Sequence, residues 1–342
     1  MSGPRIEALS EPELEFGNSQ HCVDPRGGLG LFGPYDLNRL GRPASLTYGV
    51  IGTTEGARVF REFAKRLAEP IISRDMTQPR ERSKDPFLWP PFPGFEAAFG
   101  VPWSVPSWEG TLDADVVEQA TTQGDAHQRA FDLTNLYLEQ ARIAAERDDR
   151  PSVLVCVVPD DVWLFCRPNS RPPPGTKALP SRVVELRRRH RDMFDTYDPH
   201  QYELSPDFRR QLKARSMEFG LPVQLIREST LRLNQEQSAL DRSLTPLSDR
   251  AWNLATTLYY KAGGRPWRLS SAREGVCYVG IAFRRSERST DGRTACCAAQ
   301  MFLDTGDGVV FRGQFGPWYS PERKQFHLAR EAARDGQAAL SV

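Results

Sequence analysis

Ser248-Asp249-Arg250-Ala251-Trp252-Asn253-Leu254-Ala255-Thr256-Thr257-Leu258-Tyr259-Tyr260-Lys261-Ala262-Gly263-Gly264-Arg265-Pro266-Trp267-Arg268-Leu269 is the stretch on which the reading of this sequence turns. It reads as one helix with both ends marked. Ser248 or Asp249 can accept from the orphan N–H groups of the first turn, Gly263 suits the left-handed residue just past the last, and Pro266 stops any continuation. Trp252, Ala255, Leu258 and Tyr259 recur at three- and four-residue spacing and make one apolar face. Asn253 and Lys261, eight residues apart, lie within about 80° of each other on a second face. Lysine in a last turn also suits the helix dipole, so by itself the segment reads as a capped core helix with a solvated lysine.

The 342 residues, 39% of them hydrophobic, suffice for two domains with packed cores. No run of about 18 apolar residues occurs. The opening Met1-Ser2-Gly3-Pro4-Arg5-Ile6-Glu7 has no apolar signal core, so the expectation is a cytoplasmic protein with no membrane partner. With 45 basic and 44 acidic residues the net charge is +1, so a nucleic-acid site must be a local cleft and not a basic surface. Six cysteines (Cys22, Cys156, Cys166, Cys277, Cys296, Cys297) show no C-x-x-C pairing. Cys156 and Cys277 fall in apolar strand-like runs and read as buried free thiols.

Along the chain, Gly28-Leu29-Gly30-Leu31-Phe32-Gly33 is formally a G-x-G-x-x-G. The dinucleotide-binding reading fails, because no strand precedes it and Pro34 follows where a helix should open. Leu46 to Ile51 reads as the first strand, and Gly56 to Leu67 as a helix with Val59, Phe60, Phe63 and Leu67 on one face. Trp89-Pro90-Pro91-Phe92-Pro93-Gly94-Phe95 reads as a loop packed on its own domain more readily than as a polyproline ligand. Ala126 to Glu146 is helical in pattern, and Ser152 to Val158, apolar throughout, reads as a strand of a parallel sheet covered on both faces. Between Cys166 and Tyr202 lies a polar insert with a basic run, Arg182 to Arg191, which reads as a solvated helix face or a secondary contact for nucleic-acid phosphates or an acidic partner. Gly275 to Arg284, Thr294 to Asp304 and Gly308 to Gly313 read as three strands, with a turn at Thr305-Gly306-Asp307-Gly308. Gln325 to Leu340 reads as a helix. The fold class is therefore α/β.

Trp252-Asn253-Leu254-Ala255 followed by Tyr259-Tyr260-Lys261-Ala262-Gly263-Gly264-Arg265-Pro266-Trp267 resembles the start of the PIWI domain of prokaryotic Argonaute proteins. Tyr278-Val279-Gly280-Ile281-Ala282-Phe283 is similar to the first strand of that family's RNase H-like fold, and Glu13 to Asp36 to the opening of its short members. The resemblance implies a lead-in segment over 1–45, a Rossmann-like MID domain over 46–245 and the N-terminal part of a PIWI domain over 246–342. Three strands then a helix is how an RNase H-like fold begins, so the expectation is a PIWI domain incomplete at the C-terminus.

In that family a guide strand is anchored by its 5′ phosphate. The resemblance carries this role onto Arg209, Lys213, Gln224, Asn253 and Lys261, and allows a Mg2+ ion at the phosphate. Arg209 and Lys213, at i and i+4, share a helix face and can converge on one phosphate, with arginine a planar fork and lysine a point charge. Gln224 offers both donor and acceptor capacity. Many members have tyrosine where Arg209 stands, so a stacking surface for the terminal base is lost there.

Slicing members cut by two-metal hydrolysis, with the first aspartate at the position of Ala282, which has no ligand atom. Asp291, Asp304 and Asp307 sit in turn-like contexts, and the five histidines (His21, His127, His190, His200, His327) are scattered. The expectation is a short, catalytically inactive Argonaute that pairs a guide RNA with target single-stranded DNA. The resemblance implies a partner with an APAZ region fused to a TIR, SIR2 or nuclease effector, in defence against plasmids or phage. The rival readings are an active RNase H-type nuclease and an interaction subunit that no longer binds guide.

Overall fold

Val153-Leu154-Val155-Cys156-Val157-Val158 lacks polar alternation, and it forms a strand buried at every position. The computed structural model describes residues 10–72, 89–189, 197–234, 244–285, 295–304, 308–312, 319–320 and 325–326. Asp291, Asp307, His190, His327, the turn at 305–307 and most of the last expected helix lie outside them.

In chain order, β1 (Leu14–Glu15), β2 (His21–Cys22), α1 (Pro25–Phe32), β3 (Tyr48–Thr53) and α2 (Thr54–Leu67) come first. Next are α3 (Phe95–Phe99), β4 (Trp108–Leu112), α4 (Ala114–Thr121), α5 (Ala126–Ala145), β5 (Val153–Val158), α6 (Asp160–Phe165) and α7 (Ser181–Arg188). α8 (Phe208–Arg215), β6 (Val223–Arg227), α9 (Glu228–Leu231) and α10 (Leu247–Lys261) follow. The remainder is β7 (Arg268–Leu269), β8 (Cys277–Arg285), β9 (Ala295–Leu303), β10 (Gly308–Arg312), β11 (Tyr319–Ser320) and β12 (Gln325–Phe326).

Two compact units result: Phe16–Gln20 with Asp24–Pro266, and Met1–Glu15 with His21–Val23 and Trp267–Val342. The break thus falls after Pro266, whereas the sequence reading divided the chain at 245/246, and α10 lies in the unit of the parallel sheet.

The larger unit is built on a four-stranded sheet in the order β4-β3-β5-β6, parallel throughout. The chain crosses outward from β3 to β4 and then returns past it to β5, so the sheet is doubly wound with its switch point between β3 and β5. On one face Ile51, Leu154, Cys156, Val158 and Val223 pack with Leu133, Tyr137 and Ala141 of α5 and Phe208 and Leu212 of α8. On the other, Tyr48 meets Phe60 of α2 edge-on at 5.8 Å. β3 ends later than expected, at Thr53, whose hydroxyl caps α2 by accepting from Gly56 N at 3.0 Å.

α10 corrects one expected cap and keeps the other. The helix starts at Leu247 with Pro246 at the cap position and no side-chain cap. Ser248 and Asp249 are instead buried in the first turn, where Asp249 accepts from Asn253 Nδ2 and pairs with Arg26. At the other end Gly263 takes φ 96°, with Gly263 N donating to Tyr260 O and Gly264 N to Tyr259 O. These are the two bonds of a Schellman motif. Trp252, Ala255, Leu258 and Tyr259 are all 2% exposed or less. Trp252 Nε1 donates to Pro91 O at 3.1 Å and meets Phe92 edge-on, so the proline–aromatic segment packs on its own unit as expected.

The glycine motif runs through α1, capped by Asp24, to its C-cap Gly33, so it is no phosphate loop, although the two-residue β2 does precede it. The basic run is only partly a solvated face. Arg187 is buried, 3.8 Å from Asp125, and Arg188 meets His127 Nε2 at 3.1 Å. Cys156 and Cys166 are buried free thiols pushed up to about 12 by that burial, but Cys277 is exposed.

In the smaller unit β2-β1-β7 is antiparallel, with Arg268 bound to Glu15 at 2.7 Å. β10-β9-β8 is an antiparallel meander and β11-β12 a two-stranded pair. Gln325–Phe326 is thus strand where a helix was expected to begin, because its backbone pairs with Tyr319–Ser320. Among the described residues no helix is long and apolar enough to cross a membrane.

Candidate anion site at the open edge of the parallel sheet

Asp207 caps α8 by accepting from Arg210 N, and Phe208, Gln211 and Leu212 are buried. Helical spacing then turns Arg209 and Lys213 outward together, and both are exposed. A 3-10 turn at Ser216–Phe219 and the left-handed Gly220 bring the chain round into β6.

Among the described residues β6 is the end strand of its sheet. Leu154 N donates to Pro222 O at 2.9 Å, and backbone groups alternate sides along a ladder, so Val223 turns its carbonyl to the open edge. Lys261, the last residue of α10, takes that carbonyl. Its Nζ donates to Val223 O at 2.5 Å and to Gln224 Oε1 at 2.8 Å. Gln224 Nε2 donates in turn to Leu225 O at 3.0 Å, the next carbonyl on the edge.

The electrostatics ties these residues into one place. Burial lowers the Lys261 ammonium to about 8, the charge of Lys213 pushes the same way, and Arg209 adds to it, against an opposite effect of Cys156. Lys213 is lowered by burial and by Arg209. The ammonium forms of Lys213 and Lys261 are thereby disfavoured, a state that an arriving anion relieves. Neither Arg209 nor Lys213 has an ion-pair partner among the described residues.

Of the five sequence-predicted residues Gln224 and Lys261 are hydrogen-bonded here, Arg209 and Lys213 are near enough for their charges to act on Lys261, and Asn253 stands apart. It stands two turns up α10, about 12 Å along the axis from Lys261, donating to Asp249 Oδ2 at 3.1 Å and accepting from Arg26 at 3.4 Å. Its role in this structure is to tie α1 to α10.

Sequence reasoning missed Trp163. Its half-buried indole has three guanidinium groups around it: Arg167 at 5.0 Å, Arg227 at 5.2 Å and Arg209 at 5.9 Å from the ring centroid. The available signal was position, since Val158-Pro159-Asp160-Asp161-Val162-Trp163 follows the C-terminal end of a parallel strand, where doubly wound sheets bind ligands.

The residues at the edge do not suit the expected Mg2+. Those facing it are cations and an amide, and the free oxygens of Val223 and Gln224 are already taken by Lys261. Among the described residues no group of three His, Cys, Asp or Glu side chains could hold a metal ion.

In the smaller unit Ala282 is paired with Ala298 on β9, and neither residue type carries a metal ligand. Asp304 accepts from Gly275 N at 2.7 Å, a long-range bond between residues 29 apart and not a turn of its own. His127 is buried with its Nδ1 3.1 Å from Gln201 O, while His21 and His200 face Glu13 and Glu203.

No protein-family model and no curated protein matches the sequence. Among solved structures the chain is similar to the Argonaute of Aquifex aeolicus, with TM-score 0.46 and 13% identity over 97% of this chain and 34% of that one. It is similar to Aa-Ago with externally bound siRNA at TM-score 0.44, with the same identity of 13% and the same coverage of 97% and 34%. For Drosophila Piwi the TM-score is 0.39 at 13% identity, over 89% of this chain and 30% of that one. The chain spans about a third of the length of these proteins.

Proposed function

We propose that the protein holds a short RNA guide by its 5′ phosphate at the open edge of β6 and pairs it with complementary single-stranded DNA without cutting. One observation carries the reading: Arg209, Lys213 and Lys261 converge on one place, and no carboxylate pairs with Arg209 or Lys213 among the described residues.

A terminal phosphate brings about two negative charges and three acceptor oxygens. The Arg209 guanidinium can grip two of those oxygens as a fork, and Lys213 supplies a point charge. Lys261 spends two of its N–H bonds on Val223 O and Gln224 Oε1, leaving the third for the ligand. The arriving dianion favours the ammonium form of Lys261, so binding and protonation reinforce each other. Gln224 keeps one amide N–H for the first nucleotide.

The resemblance to short Argonautes supports the remaining steps. In this reading the guide–target duplex acts on an APAZ-containing partner with a TIR, SIR2 or nuclease effector, in the cytoplasm, as part of prokaryotic defence. Ala282 in place of the first catalytic aspartate supports recognition without cleavage, because a two-metal centre lacking a bridging carboxylate cannot hold its ions.

The test is to purify the protein with its genomic neighbour and sequence the short nucleic acid that co-purifies, reading its 5′-end chemistry. Uniform short strands with a 5′ phosphate are expected. No bound strand, and no affinity for supplied ones, would leave an interaction subunit as the better reading.

A further inference from the structure

The positive charge at this edge exceeds what one terminal phosphate uses. Arg209, Lys213 and Lys261 already balance a monophosphate of about two charges. Beside them stand Arg167 and Arg227, neither with an ion-pair partner among the described residues. Of the nearby carboxylates, Glu228 is buried and accepts from Thr53 Oγ1 at 3.2 Å and Asp160 accepts from Ser229 Oγ at 2.6 Å, which leaves the exposed Asp161 as one negative charge against Arg167, Arg209 and Arg227. What holds Arg167, Arg209 and Arg227 near one another is the Trp163 ring, whose π-face offsets part of their repulsion.

The cluster is continuous with the phosphate pocket. Arg209 belongs to both, since it faces Trp163 and also depresses Lys213 and Lys261. Arg227 shares its face of β6 with Val223 and Leu225, which pack on the α8 side. From Val223, whose carbonyl Lys261 holds, to Arg227 the strand advances about 13 Å, room for a chain of phosphates.

We infer that the site is built for a 5′-triphosphate end, with Arg167 and Arg227 around Trp163 taking the outer phosphates while Arg209, Lys213 and Lys261 take the inner one. This rests on the guide-binding reading. It also names the class of reaction that supplies the ligand: a polymerase starting a strand without a primer leaves a 5′-triphosphate, so the guide needs no trimming of its 5′ end.

The experiment measures affinity of the full chain for one short RNA sequence bearing a 5′ hydroxyl, monophosphate or triphosphate, at fixed salt without divalent ions. The expected order is triphosphate, monophosphate, hydroxyl, with the triphosphate about tenfold tighter than the monophosphate, the worth of one charge-assisted hydrogen bond. Arg167→Ala and Arg227→Ala remove that tenfold preference for the triphosphate over the monophosphate, whatever smaller loss they bring to both. Arg167→Lys and Arg227→Lys, which keep charge and solubility, retain part of it, so a fold defect is separable from lost charge. A triphosphate bound no more tightly than a monophosphate overturns the inference. So does an equal loss for all three ends in the alanine variants, which would make the cluster a contact for internucleotide phosphates. If the three ends bind equally to the unaltered protein, it is the guide-pocket reading itself that fails.

Discussion

Lys261 Nζ donates to Gln224 Oε1 across 2.8 Å, joining the last turn of α10 to the open edge of β6. A lysine in that helical position would ordinarily point to water and serve the helix dipole. Here it is drawn inward because an edge strand leaves carbonyls unpaired, and an ammonium can satisfy Val223 O and the Gln224 amide together. The same geometry costs Lys261 part of its hydration and sets it beside Lys213 and Arg209, which is why its ammonium is held down to about 8. A residue that ties sheet to helix is thereby primed to favour an anion.

Truncating the exposed pair tests the pocket directly. Arg209→Ala with Lys213→Ala should weaken a 5′-phosphorylated guide by roughly tenfold to a hundredfold, while a 5′-hydroxyl strand changes by less than about twofold. Equal losses for both strands, measured by fluorescence polarisation, would count against a phosphate pocket.

The pH dependence follows from Lys261. Its ammonium is the binding form, and its value of about 8 in the free protein lies below the usual lysine range. Affinity for a 5′-phosphorylated strand should therefore be full near pH 7, above the second ionisation of the phosphate at about 6, and fall as the pH rises through 8. Lys261→Arg stays charged over that range and should flatten the profile, whatever it does to the absolute affinity. A profile that is flat in the unaltered protein would show that Lys261 does not face the ligand.

The formal glycine motif separates into two kinds of glycine. A Cβ at Gly28 would lie 2.2 Å from the Phe16 ring, whereas at Gly30 nothing is within 4 Å. Gly28→Ala should destabilise by about 1–3 kcal/mol through overpacking. Gly30→Ala should be neutral or stabilise by up to about 1 kcal/mol, as alanine does at an open helix site. Urea unfolding of the two variants distinguishes packing glycines from a nucleotide loop, in which both changes would impair ligand binding at unaltered stability.

Tyr259 supports α10 from behind the site. Its hydroxyl donates to the buried Asp36 at 2.6 Å, and Asp36 also accepts from Arg265 N at 2.8 Å. Tyr259→Phe keeps the ring stacked on Phe99 and removes the hydroxyl, which donates to Asp36 and accepts from Arg42 Nε at 3.3 Å. A loss of about 1–3 kcal/mol is expected, the cost of leaving a buried carboxylate short of a partner. Unchanged denaturant midpoints would mean that the hydroxyl bond to Asp36 adds nothing to the stability of the fold.

Cleavage is the remaining measurement. With a guide and a matched DNA target in Mg2+ or Mn2+, the target should stay intact, because Ala282 offers no ligand and its register partner is Ala298. Metal-dependent cutting that disappears with the guide would establish a nuclease whose carboxylates lie elsewhere.

Much of this molecule is written in local pattern. The unbroken apolar run of β5 announces a sheet covered on both faces, the spacing of Trp252, Ala255, Leu258 and Tyr259 gives the buried face of α10, and Gly263 marks its end. Arg209 and Lys213 are adjacent on a face by helical geometry alone. Those features depend on periods of a few residues, so they survive in a one-dimensional reading. The cap of α10 did not, because Ser248 and Asp249 satisfy the cap preference equally well as buried first-turn residues once Arg26 and Asn253 reach Asp249. The strand at Gln325–Phe326 also depends on a partner, Tyr319–Ser320, that helical periodicity ignores. Only the tertiary structure decides that β6 is an edge, that Lys261 spans its unpaired carbonyls, and that Arg167, Arg209 and Arg227 gather round Trp163. Sequence sets which groups are available within a turn or a strand; the order of strands in the sheet determines which distant charges share one place.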